Sequence, residues 1–328
     1  MRKKHFLFAS VLALLCGSST LHAQDFKLTS SGYFKNQGVD VMAFDDIYPE
    51  GHQGGVCIIM NGHRVATNGD IRLEATPGQW QPVPKQLDRK LGDNSITATL
   101  CYPDSSRHLT GFNPMIYPDL HLIYTVNVES KGKNIEVTVD LDRPIPQEFI
   151  GKVGFNLEFF PGSLFGKPWI MDGQSGIFPQ QPNSPLMTTQ PNYLHTGNYH
   201  DGKKSLADMN KLIGKGYSPI VADDIISEPY AKGRKFTSRP DDPYNKVTIE
   251  SLSGDLQLFD GRMNHNNGWF VLRSNIKPGV TKGAVKWIIT PNVVADWMYQ
   301  PVIQTSQIGY HPAQDKEAVI EMDIRDNR

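Results

Sequence analysis

Apolar and polar positions alternate with a period of two through most of the chain, and this pattern predicts strands. Val56-Cys57-Ile58-Ile59-Met60 runs into Asn61-Gly62 and out through His63-Arg64-Val65-Ala66-Thr67. Asn-Gly between two such runs predicts a tight hairpin, because both central residues of its turn need positive φ. Ile96, Ala98, Leu100 and Tyr102 alternate with Thr97, Thr99 and Cys101. Leu120, Leu122, Tyr124, Val126 and Val128 form the next run, and after Ser130-Lys131-Gly132-Lys133-Asn134 the pattern resumes at Ile135, Val137, Val139 and Leu141. These two runs predict a long antiparallel hairpin with one buried and one wet face. Further strands are expected at Val153 to Phe159, Val247 to Leu252, Leu256 to Phe259, Trp269 to Arg273 and Ala284 to Thr290.

Between about Gly162 and Asp242 the alternation weakens and Pro, Asn, Gly and Asp accumulate. This segment is expected to be long loops along one edge of a sandwich. Its one helical stretch is Ser205 to Ile213, where Leu206, Met209 and Ile213 share a face. With 29 glycines and 23 prolines among 328 residues, breakers are too frequent for a helical protein. The expected fold class is all-β: a large antiparallel, supersandwich-like β-sandwich with long loops.

Composition narrows the function. The formal net charge is −1, and no run of Lys and Arg offers a local field for nucleic acid, so no nucleic-acid partner is expected. Residues 1–23 read as a signal peptide. Arg2, Lys3 and Lys4 precede an apolar run from Phe6 to Cys16, and Leu21-His22-Ala23 is a cleavage site before Gln24. Leu15 is too bulky for a lipobox, so lipid anchoring through Cys16 is not expected. The mature chain is expected to be secreted or periplasmic. No segment reaches ~18 uninterrupted apolar residues, so no transmembrane segment is expected. Cys57 and Cys101 then remain. An oxidising compartment permits a disulfide between them, but nothing in the pattern makes their strands neighbours.

Candidate chemistry is sparse. No phosphate-binding glycine motif is present and no cofactor is expected. His195 and His200 have a zinc-like spacing but no accompanying ligands, and read as loop histidines. Ser163 lacks the G-x-S-x-G spacing of a nucleophile elbow, and Cys57 reads as a buried structural thiol. Asp45-Asp46, Asp223-Asp224 and Asp241-Asp242 are available carboxylate pairs, but adjacent acids in turns serve as turn and surface residues. Of the tryptophans, Trp269 and Trp287 fall in alternating strands and read as core. Trp80 and Trp169 fall among Pro and Gly and are the candidate carbohydrate-binding platforms.

The segment Gln307-Ile308-Gly309-Tyr310-His311-Pro312, with Lys316 and Ala318-Val319-Ile320, resembles the first strand of the immunoglobulin-like domain of family 9 glycoside hydrolases. Tyr48 to Gly55, Gly151 to Gly162 and Asn264 to Val271 resemble the extra N-terminal module of secreted enzymes of that family. The resemblance implies a sandwich module over 24–300 and the start of an Ig-like domain over 301–328. It implies a β-glucan polysaccharide or oligosaccharide as partner, and intramolecular contact with a catalytic barrel. The family's Asp-Ala-Gly-Asp type motif is absent, so no catalytic residue carries over. The expected function is a non-catalytic module of a β-glucan hydrolase. The alternatives are a stand-alone glycan-binding protein and a mutarotase-like enzyme using a pair such as His265 and Glu158. The strand at Ala318 to Met322 is expected to lack partners.

Overall fold

The computed structural model describes residues 25–45, 54–74, 77, 82–108, 117–181, 187–189, 225–263 and 268–326. The signal segment, Trp80, His195, His200, Ser205 to Ile213, Asp46, Asp223-Asp224 and Asn264 to Asn267 lie outside them.

In chain order the strands are β1 (Lys27–Leu28), β2 (Phe34–Asn36), β3 (Val39–Ala43), β4 (Val56–Met60), β5 (His63–Leu73), β6 (Lys85–Leu91), β7 (Ser95–Cys101), β8 (Ile123–Lys131), β9 (Asn134–Leu141), β10 (Val153–Phe159) and β11 (Pro168–Met171). There follow β12 (Gln174–Ile177), β13 (Met187–Thr189), β14 (Ile225–Ser227), β15 (Ala231–Gly233), β16 (Lys235–Ser238), β17 (Val247–Ser251), β18 (Leu256–Asp260), β19 (Phe270–Asn275), β20 (Val285–Pro291), β21 (Val302–Thr305) and β22 (Ala318–Glu321). Two nine-stranded antiparallel sheets form the sandwich, ordered β1-β2-β3-β4-β5-β10-β19-β18-β15 and β12-β11-β16-β17-β20-β9-β8-β7-β6. Their inner faces share one apolar core. In it Phe155 of the first sheet meets Trp287 of the second edge to face at 5.0 Å, and Phe159 meets Phe236 at 5.8 Å.

Most of the alternating runs form the strands they predict. The Asn61-Gly62 turn joins β4 to β5 with both residues at positive φ, 52° and 83°. β8 and β9 pair from Tyr124–Leu141 to Lys131–Asn134. The weakly patterned segment differs from expectation. It is not only loop: β11, β12 and β16 complete one flank of the second sheet, and β15 closes the first. These strands are three or four residues long, too short for alternation to register.

Trp169 is corrected with them. It stands in β11 opposite Gly176 and Ser238, at 7% exposure, not in an exposed loop. Its ring lies against Gly176, where an added Cβ would come within 2.5 Å of Cζ2. Cys57 is buried in β4 of the first sheet and Cys101 is in β7 of the second, and no disulfide joins them. Ala318 to Glu321 does find a partner, since β22 pairs with β21 as a two-stranded hairpin.

Candidate functional site

In β7, β8, β9, β17 and β20 burial alternates with the pattern, so the second sheet has one wet face. The centre of the first sheet behaves differently. Every residue of β10 is buried, and so are β5 from Val65 onward and β19 up to Ser274. Except for Val271, the large apolar positions of these strands face the core. The alternate positions are polar and charged, yet they too are shielded from water.

Register assembles these positions into one stripe. Arg72 stands opposite Gly154, which in turn faces Asn275. Asp70 stands opposite Asn156, which faces Arg273, and Glu158 stands opposite Thr67 and Val271. Paired positions share a face. A one-residue bulge in β5 falls between Thr67 and Asp70, where Asn68 adopts a positive φ of 55°. The bulge carries Asn68 Nδ2 to 2.6 Å from Glu158 Oε2. Gly154 is required by Arg273, because an added Cβ would come within 2.8 Å of its Nε.

Arg273 organises one end of the stripe. Its guanidinium donates to Glu74 Oε1 (3.0 Å), to Asn156 Oδ1 (3.2 Å), to the Glu74 carbonyl (3.2 Å) and to Asn275 Oδ1 (2.7 Å). Asn156 Nδ2 donates to the same Glu74 oxygen at 2.5 Å. On the other side Asp70 accepts from the Tyr124 hydroxyl and from the Ile71 amide, and the Tyr102 hydroxyl donates to the Ile71 carbonyl. Arg72 Nε and Asn68 Oδ1 are buried without a hydrogen-bond partner.

The electrostatics follow from burial. Desolvation pushes Asp70 up to about 6 against the pull of Arg72, and Glu74 up to about 7 against that of Arg273. Desolvation draws Arg273 below its ordinary value. In Arg72 the same penalty is outweighed by Glu158 and Asp70, and the net shift is upward. A pH dependence follows. The folded state binds protons to Glu74 and Asp70 more tightly than the unfolded chain does. Their contribution to stability is therefore complete below about pH 4 and is lost as pH rises through about 6 to 7. For Glu74 the expected loss is at most about 3 kcal/mol. Melting temperatures should fall across this window and Glu74→Gln should flatten the slope. A flat profile instead would show that both acids are solvated.

At one end of the stripe Phe160 follows Glu158 on the same face, and Trp269 precedes Val271. Their rings meet edge to face at 4.4 Å. Trp269, expected in the core, is only partly buried.

Of the other sequence candidates, Ser163 Oγ donates to the Phe160 carbonyl. Asp45 lies 3.7 Å from Arg89. Asp242 is a turn organiser that accepts from Arg239, Asn245 and the Tyr244 amide, and Arg239 stands at a positive φ of 51°. Among the described residues no group of three or more His, Cys, Asp and Glu side chains is placed to hold a metal ion. Among them also, no helix is long and apolar enough to cross a membrane.

No family model matches the chain, and no curated protein matches it. Solved structures give distant likenesses. Slr1438 protein from Synechocystis sp. PCC 6803 is 9% identical, with a TM-score of 0.33, over 82% of this chain and 96% of that one. Heparan sulfate lyase HepC from Pedobacter heparinus is 12% identical at a TM-score of 0.31, over 92% of this chain and 41% of its own length. YeaD from Salmonella typhimurium, described as a mutarotase candidate, is 8% identical at a TM-score of 0.28, over 81% and 96%. Overlaps at this level carry no functional argument.

Proposed function

We propose that the chain is a secreted, non-catalytic module of a family 9 type glycoside hydrolase acting on β-glucans. In this reading residues 24–300 form the sandwich module and 301–328 begin an Ig-like domain. The observation that carries it is the β21–β22 hairpin. Val302, Ile303, Val319 and Ile320 are 50–69% exposed, and Ile308 in the connecting loop is fully exposed. Ile303 pairs with Ile320 on one face, while Val319 and Val302 belong to the other. A two-stranded hairpin is marginal in water, and apolar residues on both faces are what a hairpin inside a larger sandwich presents. The Gln307 to Pro312 motif forms its loop. Tyr310 accepts from the Ser306 amide and donates to the Glu317 carbonyl, and Lys316 Nζ caps three loop carbonyls.

The purified chain is expected to release no reducing ends from cellulose, mixed-linkage glucan or xyloglucan. Turnover that co-purifies with the chain and survives repeated purification would overturn the reading.

A second reading is favoured by the stripe. Glu158 lies at the centre of a sheet face carrying two arginines and two further acids, and buried charge of this kind marks functional sites as well as structural networks. This reading makes the chain a sugar-active enzyme of mutarotase-like type. An epimerisation assay on free aldoses at only the background rate would end it.

A further inference from the structure

The C-terminal segment does not leave the sandwich freely. Trp297 and Tyr299 meet edge to face at 4.5 Å, and each is seated against a glycine in a hairpin turn of the first sheet. A Cβ at Gly38 would come within 2.7 Å of the Trp297 ring, and one at Gly62 within 2.8 Å of the Tyr299 ring. Gln37 Nε2 and Arg325 Nη2 both donate to the Trp297 carbonyl, and the Tyr299 amide donates to Asp323. Between this clamp and strands β1 to β3 runs a groove of about 590 Å³.

We infer that this groove is a binding site for a neutral oligosaccharide. Its volume falls in the range of small-molecule sites. Tyr299 is 49% exposed, so its ring is available to the C–H face of a sugar. Asp40 Oδ1, on β3, is sealed from solvent without a hydrogen bond. The nearest cation, Lys35 Nζ, is 3.9 Å away, beyond hydrogen-bond reach. Burial accordingly raises Asp40 above the usual carboxylate range. The Asp40 side chain as a whole is 32% exposed and lines the groove, so its carboxylate is open there to a hydroxyl donor.

Charge selects among ligands. Asp323 and Arg325 in the lining satisfy each other with bonds of 2.8 and 2.9 Å. The remaining charged groups are Asp25, Asp40 and Glu321 against Lys27 and Lys35. That balance gives no attraction for an acidic sugar, and it leaves acceptors and donors of both kinds for a polyol. The choice of β-glucan probes rests on the proposed function; the geometry of the groove does not.

Titration calorimetry with cellotetraose, laminaritetraose and tetragalacturonate tests the site. At least one neutral tetrasaccharide should bind and the acidic one should not. Tyr299→Ala should weaken binding at least tenfold and Asp40→Asn several-fold, with unchanged melting temperature for Asp40→Asn. Should Tyr299→Ala loosen the clamp, Asp40→Asn, on the sandwich side and outside the clamp, decides alone. Absence of binding to both neutral probes, tighter binding of tetragalacturonate, or affinity untouched by Asp40→Asn would each overturn the inference. Those results leave the module reading standing, whereas hydrolysis by the chain would remove that reading and leave the groove.

Discussion

Replacing Arg273 with methionine is expected to cost about 3–5 kcal/mol of stability, more than its loss of surface contact would suggest. The guanidinium is 1% exposed and holds Glu74, which is fully buried. Without it, Glu74 loses the guanidinium that favours its charged form and is held protonated in its buried surroundings, with the Asn156 amide still beside it. The cost then has two origins that pH separates. Below about pH 4 Glu74 is neutral in either state, and the penalty should shrink towards that of lost hydrogen bonds, about 1–3 kcal/mol. The charge part of the penalty develops as pH rises through about 7, where Glu74 ionises beside Arg273 in the parent but stays protonated in the variant. Arg273→Lys should restore little, because an ammonium cannot reproduce a fork that reaches Glu74, Asn156 and Asn275 at once. The paired change Arg273→Met with Glu74→Gln should recover part of the loss, since it removes the charge as well as its partner. Urea unfolding at pH 4 and pH 9, with unchanged slope, measures each contribution. A loss under about 1 kcal/mol at pH 9 would show that the stripe is open to water.

The stripe also marks where the amino-acid sequence stops being informative. Strands β7, β8, β9 and β20 were legible because one of their faces is wet, so polarity and burial alternate together. In β5, β10 and β19 the same alternation is present, and it reads as the same kind of strand. That the polar positions are buried depends on what covers the sheet, and on contacts such as Glu74 with Arg273, 199 residues apart. No local pattern encodes them. The one local hint was Gly154 inside a strand, a mark of close approach by another group, here the Arg273 side chain. Trp169 was misplaced for the opposite reason. Gly166, Pro168 and Gly173 around it are turn residues by composition, but Pro168 opens β11, where its missing amide is tolerated. Trp297 and Tyr299 give no signal, because each packs on a glycine, Gly38 and Gly62 in turn, that its hairpin turn requires for its own backbone geometry.

Trp287→Ala is expected to cost about 3–5 kcal/mol and to loosen the sandwich as a whole, because this residue joins the two sheets by two different interactions. It sits in β20, fully buried, opposite Val137 and Ser251 within its own sheet. Across the core its ring meets Phe155 of β10 at 81°, and its indole N–H donates to Ser274 Oγ of β19 at 3.1 Å. Ser274 Oγ in turn donates to the Asp255 carbonyl, which fixes the approach to β18. Alanine would leave a cavity and an unmet acceptor together. Trp287→Phe separates the two, since it keeps much of the volume and loses the hydrogen bond; about 1–2 kcal/mol is expected there. The two strands that meet Trp287 also carry Asn156 and Arg273 on their opposite face, so a shift of β10 against β19 would disturb the stripe. Trp287→Ala should therefore lower the pH sensitivity of stability as well as its magnitude, whereas Trp287→Phe should leave the pH profile unchanged. Melting curves of both variants between pH 4 and 8 would show this, and an unchanged profile in Trp287→Ala would mean that the two faces of the first sheet respond independently.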